Sequence, residues 1–242
     1  MTSSLRLGTW LSLGSPVIAE LAALCGFDWV LLDLEHGSAA EAALPDQLRA
    51  LGGSGTHGIV RVGAPHADLI ARVLDWGAHG IMVPHVNSAA EAGAVVQAAH
   101  YPPRGRRGFS RTVRAHDYGL RVPESTPAPL LIAQIETCEA VNEAAGIARV
   151  EGIDVLFVGP ADLQHDLQHR DPSAAEDFEA CLNRVVAAAR AAGKAAGILI
   201  RDPSELPHRL KQGFTYVAVQ SDLALLRDAF RMIIQTNKEL SA

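Results

Sequence analysis

Lysine is scarce in this chain of 242 residues: only Lys194, Lys211 and Lys238 occur. Lys194 stands just ahead of an apolar run that reads as a strand, and the other two fall in the last turns of helical stretches. Schiff-base chemistry, which needs an amine inside a pocket, has no credible residue. Cysteine is equally scarce. Cys25, Cys138 and Cys181 lie in apolar or helical surroundings without metal-ligand spacing, which argues against a thiolate metal site and suits a reducing cytoplasm. No continuous run of Lys or Arg is present and the formal net charge is -6, so nucleic acid is not an expected partner. The most basic stretch, Arg104 to Arg114, is broken by Gly105, Gly108 and Phe109 and reads as a loop. No segment approaches a membrane span, and the N-terminus lacks an apolar signal region, so a cytoplasmic location without a membrane partner is expected. No Gly-x-Gly-x-x-Gly follows the first strand; Gly52, Gly53 and Gly55 sit between a helix and a strand, the wrong context for a dinucleotide site.

What is plentiful is apolar. Hydrophobic residues make up 48% of the chain, enough to bury a large core. Barrels of alternating strands and helices use about 250 residues as one folding unit, so residues 1–242 read as a single domain. Short apolar runs recur at Leu7–Leu13, Trp29–Leu34, Gly58–Val62, Gly80–Pro84, Leu130–Ile135, Val155–Val158, Ala196–Ile200 and Tyr216–Val219. Ala-rich stretches with helical period lie between and after them: Pro16–Cys25, Glu41–Leu51, Ala67–Trp76, Ala89–His100, Cys138–Ala148, Ser173–Ala192, Ser204–Gln212 and Asp222–Lys238. Such continuous strands suit a parallel sheet covered by helices, as a barrel or as an open doubly wound sheet. The count of eight units favours a (β/α)8 TIM barrel. Gly26, Gly77, Gly193 and Gly213 read as helix C-terminal glycines leading into the next strand.

Barrel chemistry sits where strands end. Strand two ends in Asp33-Leu34-Glu35-His36-Gly37, strand three contains Arg61, strand five ends in Gln134-Ile135-Glu136-Thr137, and strand six ends in Gly159-Pro160-Ala161-Asp162. Glu136 and Asp162, on adjacent strands, can share a hard divalent cation, Mg²⁺, Mn²⁺ or Co²⁺ rather than zinc, with open positions for water and substrate oxygens. Taken singly, Asp162 reads as a turn cap and Glu136 as a helix-start carboxylate; together at one rim they favour metal binding. His36 is a candidate proton acceptor at the same rim. Arg61, ending an apolar strand, needs an anionic partner, either a substrate oxyanion or an ion pair with Asp33 or Glu35. The N–H groups of Ala161 and Asp162 can hold a carboxylate.

These motifs, in this order, resemble the HpcH/HpaI family of class II, metal-dependent pyruvate aldolases, such as 4-hydroxy-2-oxoheptanedioate and 2-dehydro-3-deoxyglucarate aldolases. The likeness runs from GTWLSL through FDWVLLDLEHG, IVRV, VLDWGAHGIMVPHVNSAAEA, YPPRGRRG, LIAQIET, VEGIDVLFVGPADL and GKAAGILI to FTYVAVQSD. The resemblance implies that His36 is the catalytic base, that Asp75 raises its basicity, and that Arg61 stabilises the transition state. It further implies that Glu136 and Asp162 bind the metal and that Gln134, with the backbone at Ala161 and Asp162, binds substrate. Trp10 and Leu199 are similar to residues shaping the aldehyde side. The implied activity is cleavage and formation of 4-hydroxy-2-oxo acids, with a 2-oxo acid and an aldehyde as partners. The implied assembly is a homohexamer that exchanges its last helix, whose apolar stripe is Leu223, Leu226, Phe230 and Ile233. His85 in VPHVNS departs from the family's commonly apolar residue and puts substrate choice in question. The stretch from Phe109 to Pro129 is long for a connection after a strand and is expected to cover the pocket or an interface.

Two rival readings remain open. One is a metal-dependent lyase on the same scaffold acting on an acyl-CoA or decarboxylating an oxaloacetate-like acid. The other is a non-catalytic barrel that binds an oxo acid; the complete His, Arg, Glu and Asp set argues against it.

Overall fold

The computed structural model describes residues 4–121, 127–169 and 177–240. Eight parallel strands close into a barrel in chain order: β1 Arg6–Leu11, β2 Trp29–Asp33, β3 His57–Arg61, β4 Gly80–Val83, β5 Leu130–Ile135, β6 Val155–Val158, β7 Ala195–Ile200 and β8 Tyr216–Ser221. The helices are α1 Pro16–Leu24, α2 Leu44–Ala50, α3 Ala67–Asp75, α4 Ala89–Ala99, α5 Cys138–Ala148, α6 Pro160–Gln168, α7 Phe178–Ala191, α8 Leu206–Gln212 and α9 Asp222–Leu240. The TIM barrel expected from the strand count is therefore the observed fold.

Local chemistry sets the helix ends. Ser15, Ser88, Thr137 and Asp177 each accept a hydrogen bond from the backbone N–H three residues on, opening α1, α4, α5 and α7. Gly26, Gly77, Gly193 and Gly213 have φ between 69° and 116°, the left-handed exit the sequence implied. The expected helix from Ser173 begins at Phe178 in the described structure, and its first expected residues, 173–176, lie outside the described residues. Helix α6 starts directly on Pro160, at the first helical position, where a missing N–H costs nothing.

The core has two layers. Trp10, Trp29, Leu31, Ile59, Met82, Ile132, Val155, Phe157, Tyr216 and Ala218 fill the barrel interior. Their neighbours Val30, Leu32, Val60, Ile81, Leu131 and Leu156 face outward against the helices. That alternation is the period of two of a strand, and it explains why each run is apolar throughout: both faces are buried.

The segment from Phe109 to Pro129 joins α4 to β5. It is thus a helix-to-strand connection, and its described residues, 109–121 and 127–129, lie at the base of the barrel, where strands begin, rather than over the rim; residues 122–126 lie outside the described residues. Arg114 anchors it there, donating to the carbonyls of Trp76 at 2.9 Å and Leu48 at 3.1 Å.

Candidate active site

The same alternation decides which polar residues reach the barrel axis. Leu31 points inward, so Asp33 does; Ile59 points inward, so Arg61 does; Ile132 points inward, so Gln134 does. Each is the last inward position of its strand, and together they floor the rim.

Strands β2 and β3 pair with Asp33 beside Arg61. Arg61 Nε donates to Asp33 Oδ1 at 2.9 Å and Nη2 to Oδ2 at 2.7 Å, while Nη1 lies 2.7 Å from Glu35 Oε2. Both ion-pair partners proposed from sequence are used at once. Trp10 Nε1 donates to Asp33 Oδ2 at 3.2 Å, and its ring lies 5.0 Å from the Arg61 guanidinium carbon. The N–H groups of Glu35 and His36 donate to Asp33 Oδ1 at 3.0 and 3.3 Å, folding the DLEHG turn back over the pair. Burial by itself would raise the Asp33 carboxyl, but the Arg61 hydrogen bond and charge and those two N–H groups hold it below the usual carboxylate range. Burial works against the Arg61 charge, yet Asp33, Glu35 and Glu136 raise its pKa above the ordinary value.

Glu136 is buried on the other side. Its Oε1 accepts from Gln134 Nε2 at 2.6 Å and its Oε2 from the His85 N–H at 3.0 Å. The start of α5 is capped by the Thr137 hydroxyl, which accepts from Ala140 N–H at 3.0 Å, so Glu136 is not spent on the helix. A Cβ on Gly159 would lie 2.4 Å from Glu136 Oε1, so the carboxylate sits against bare backbone that only glycine allows. Burial pushes the Glu136 carboxyl up; the His85 N–H and ring oppose the rise, and the charges of Asp162 and Glu35 add to it.

Asp162 lies in the first turn of α6 and is exposed; the N-cap, Gly159, offers no side chain. The N–H groups of Ala161 and Asp162 belong to the turn whose donors lack intrahelical acceptors. Among the described residues no group of three or more His, Cys, Asp or Glu is arranged to hold a metal. The donor set nonetheless fits a hard cation as a two-carboxylate site. Gln134 Oε1 is buried without a partner, and the Glu136 charge is opposed by burial and by neighbouring carboxylates, all of which a cation would relieve.

His36 is exposed at this rim. Leu199 is partly buried and packs on the interior cluster that contains Trp10. Asp75 is elsewhere: it ends α3, shortly before β4 begins, at the base of the barrel, where its carboxylate takes Arg107 Nη2 at 2.5 Å. Within one chain it does not meet His36. The base also holds two clefts, of about 430 and 760 Å³, that share His57, His79, His100 and Arg104. These concavities are set apart from the rim, where the contacting acids and bases collect. From sequence His85 is tied to substrate choice only as a departure from the family, with no role assigned. Its signal was there, a polar residue directly after β4, where the other strand ends carry their functional groups.

A family model described as HpcH/HpaI aldolase/citrate lyase matches residues 6–229. A hydroxypyruvate/pyruvate aldolase of Paraburkholderia phytofirmans is 38% identical over 237 residues, covering 94% of this chain and 91% of the relative. A 5-keto-4-deoxy-D-glucarate aldolase of Salmonella gallinarum is 37% identical over 238 residues, covering 97% and 93%. The crystal structure of an HpcH/HpaI aldolase/citrate lyase family protein from Burkholderia cenocepacia superposes with a TM-score of 0.90 at 34% identity, covering 97% of this chain and 95% of that one.

Proposed function

The chain belongs to the HpcH/HpaI aldolase/citrate lyase family, and from that premise we propose that it is a metal-dependent aldolase of 4-hydroxy-2-oxo acids. Its products are an aldehyde and pyruvate, or a hydroxypyruvate-like 2-oxo acid. The observation that carries the reading is the juxtaposition, at one rim, of a buried guanidinium forked onto Asp33 with a buried carboxylate, Glu136, that carries too little compensating charge.

Glu136 and Asp162 would hold the cation. When bound there, Mg²⁺, Mn²⁺ or Co²⁺ supplies Lewis-acid polarisation of the substrate's keto group and acidifies the carbon beside it. Gln134 and the N–H groups of Ala161 and Asp162 orient the substrate carboxylate. Arg61, fixed by Asp33 and Glu35, presents positive charge where negative charge develops on the keto oxygen, with no reorganisation during the reaction. His36 takes the proton of the C4 hydroxyl. The C3–C4 bond breaks, its electron pair stays with C3, the aldehyde leaves, and return of a proton to C3 completes the methyl group of pyruvate. Trp10 and Leu199 bound the aldehyde side. Asp75, held by Arg107 at the base, can raise the basicity only of a His36 in another copy, so that role requires the homo-oligomer.

The test is deuterium exchange into the methyl group of pyruvate. The metal-loaded protein is expected to catalyse it, and the Arg61→Gln variant is expected to lose it. No exchange with any of Mg²⁺, Mn²⁺ and Co²⁺ would sink the proposal.

A further inference from the structure

His85 adopts φ 52°, the left-handed region, although it is not glycine. For a residue with a Cβ that conformation costs roughly 1–2 kcal/mol, so something must compensate for it. Part of the compensation is plain: the turn aims the His85 N–H at Glu136 Oε2, 3.0 Å away. Glycine would present the same N–H without strain. The imidazole therefore needs its own reason, and packing is not one, because the side chain is 57% exposed.

Its surroundings supply the reason. Nδ1 lies 3.4 Å from Glu136 Oε2 and Nε2 lies 3.9 Å from Glu35 Oε1. Glu35 is in turn held by Arg61 and Glu136 by Gln134. The ring thus stands in the gap between the cationic side of the site and its carboxylate side, exposed to whatever occupies the space between them. An imidazole there can donate through one nitrogen and accept through the other. A hydroxyl uses both capacities; a methyl group uses neither.

We propose that the His85 ring is the specificity-determining residue for the donor, forming a hydrogen bond with a hydroxyl on the carbon beside the keto group and so favouring hydroxypyruvate-type donors over pyruvate. The proposal rests on the aldolase reading above. It gives the two halves of His85 separate duties, with the N–H orienting Glu136 and the ring selecting the substrate.

His85→Gly and His85→Asn separate them, since both residues tolerate the left-handed backbone and keep the N–H. Three quantities are measured on each metal-loaded protein: C3 deuterium exchange into hydroxypyruvate, the same into pyruvate, and Mn²⁺ affinity by calorimetry. The ratio of kcat/KM for hydroxypyruvate over pyruvate is expected to fall about tenfold in His85→Gly, the worth of one hydrogen bond. It should recover in part in His85→Asn, while Mn²⁺ affinity stays near that of the unaltered protein in both. An unchanged ratio in His85→Gly overturns the proposal, as does refusal of hydroxypyruvate by the unaltered protein. A fall in Mn²⁺ affinity together with equal losses for both donors also overturns it, because the ring would then be holding Glu136. Exchange into neither donor by the unaltered protein would instead remove the aldolase reading itself.

Discussion

At the scale of single residues, the proposed roles divide the rim into a group that would move protons and groups that would hold charge. His36→Ala is expected to slow aldol cleavage by about 10²–10⁴-fold, the usual contribution of a positioned acid-base group, while leaving Mn²⁺ affinity nearly intact. Glu136→Ala should weaken Mn²⁺ binding and regain part of its rate at high metal concentration. Calorimetric titration beside cleavage rates checks both, and a His36→Ala protein that has lost its metal would show the roles to be misassigned. Asp33 and Glu136 also respond oppositely to pH. Asp33 is held below its ordinary value of 3.8, so its pair with Arg61 stabilises the fold fully above that pH and is lost as pH falls through its lower folded value. Asp33→Asn should therefore destabilise the protein at neutral pH by about 3 kcal/mol, a difference that narrows only below pH 3.8. Glu136 is raised above 4.5, so its ionisation weighs against folding as pH rises through the folded value. In chelator, Glu136→Gln should melt higher than the unaltered protein at neutral pH and lose that advantage below pH 4.5. A flip of the Gln134 amide would turn its Oε1, which lacks a partner, toward the new amide N–H, where Nε2 now donates. Thermal melts across pH decide it.

At the scale of elements, α9 is the exception to the rule that helices bury an apolar face on their own barrel. Asp222 ties its start to β1, accepting from the N–H groups of Ser12 at 2.9 Å and Leu13 at 3.0 Å. From Leu225 to Asn237 every residue is exposed, including Phe230 at 62% and Ile233 at 62%. A stripe of that size, with no part of its own barrel beneath it, fits packing against another copy. Phe230→Glu with Ile233→Glu is expected to shift the protein to monomer in light scattering at micromolar concentration. An unaltered protein that is itself a stable monomer would refute the expected homo-oligomer. The connection from Phe109 to Pro129 is the second such element. Its length was plain from sequence, and so was its place after the helix Ala89–His100 and before the strand Leu130–Ile135, which puts it at the base; Arg114 fixes its described part under α2 and α3.

At the scale of the whole molecule, closure of the barrel gathers strand ends from across the chain into one site, and chelation is the global test. Rigorous metal removal should abolish aldol cleavage and Mg²⁺, Mn²⁺ or Co²⁺ should restore it; full turnover in the apo-protein would rule out the two-carboxylate metal site. The sequence by itself determined the eight strands and all but one of the described α-helices, because an apolar run buried on both faces and an Ala-rich helix differ in period wherever they occur; α6, which is neither Ala-rich nor strongly apolar, is not among the helices the sequence implies. β5 and β6 match their expected bounds, and no described strand start or end moves by more than two residues. It also determined which strand ends carry Asp33, Arg61, Glu136 and Asp162, since that is a matter of position along the chain. Only the tertiary structure decided how these groups are used. Sequence left Arg61 between a substrate and an ion pair, and the register of β2 on β3 set it against Asp33, with Glu35 close by. Asp75 stands two residues ahead of Gly77, the glycine leading into β4, so its place at the base was legible, but that its carboxylate takes Arg107 there was not. Nor could VPHVNS tell that His85 turns left-handed and stands between Glu35 and Glu136, since that arrangement exists only once β4 lies between β3 and β5. Period and composition act through neighbours in sequence, whereas charge pairing and strain act through neighbours in space.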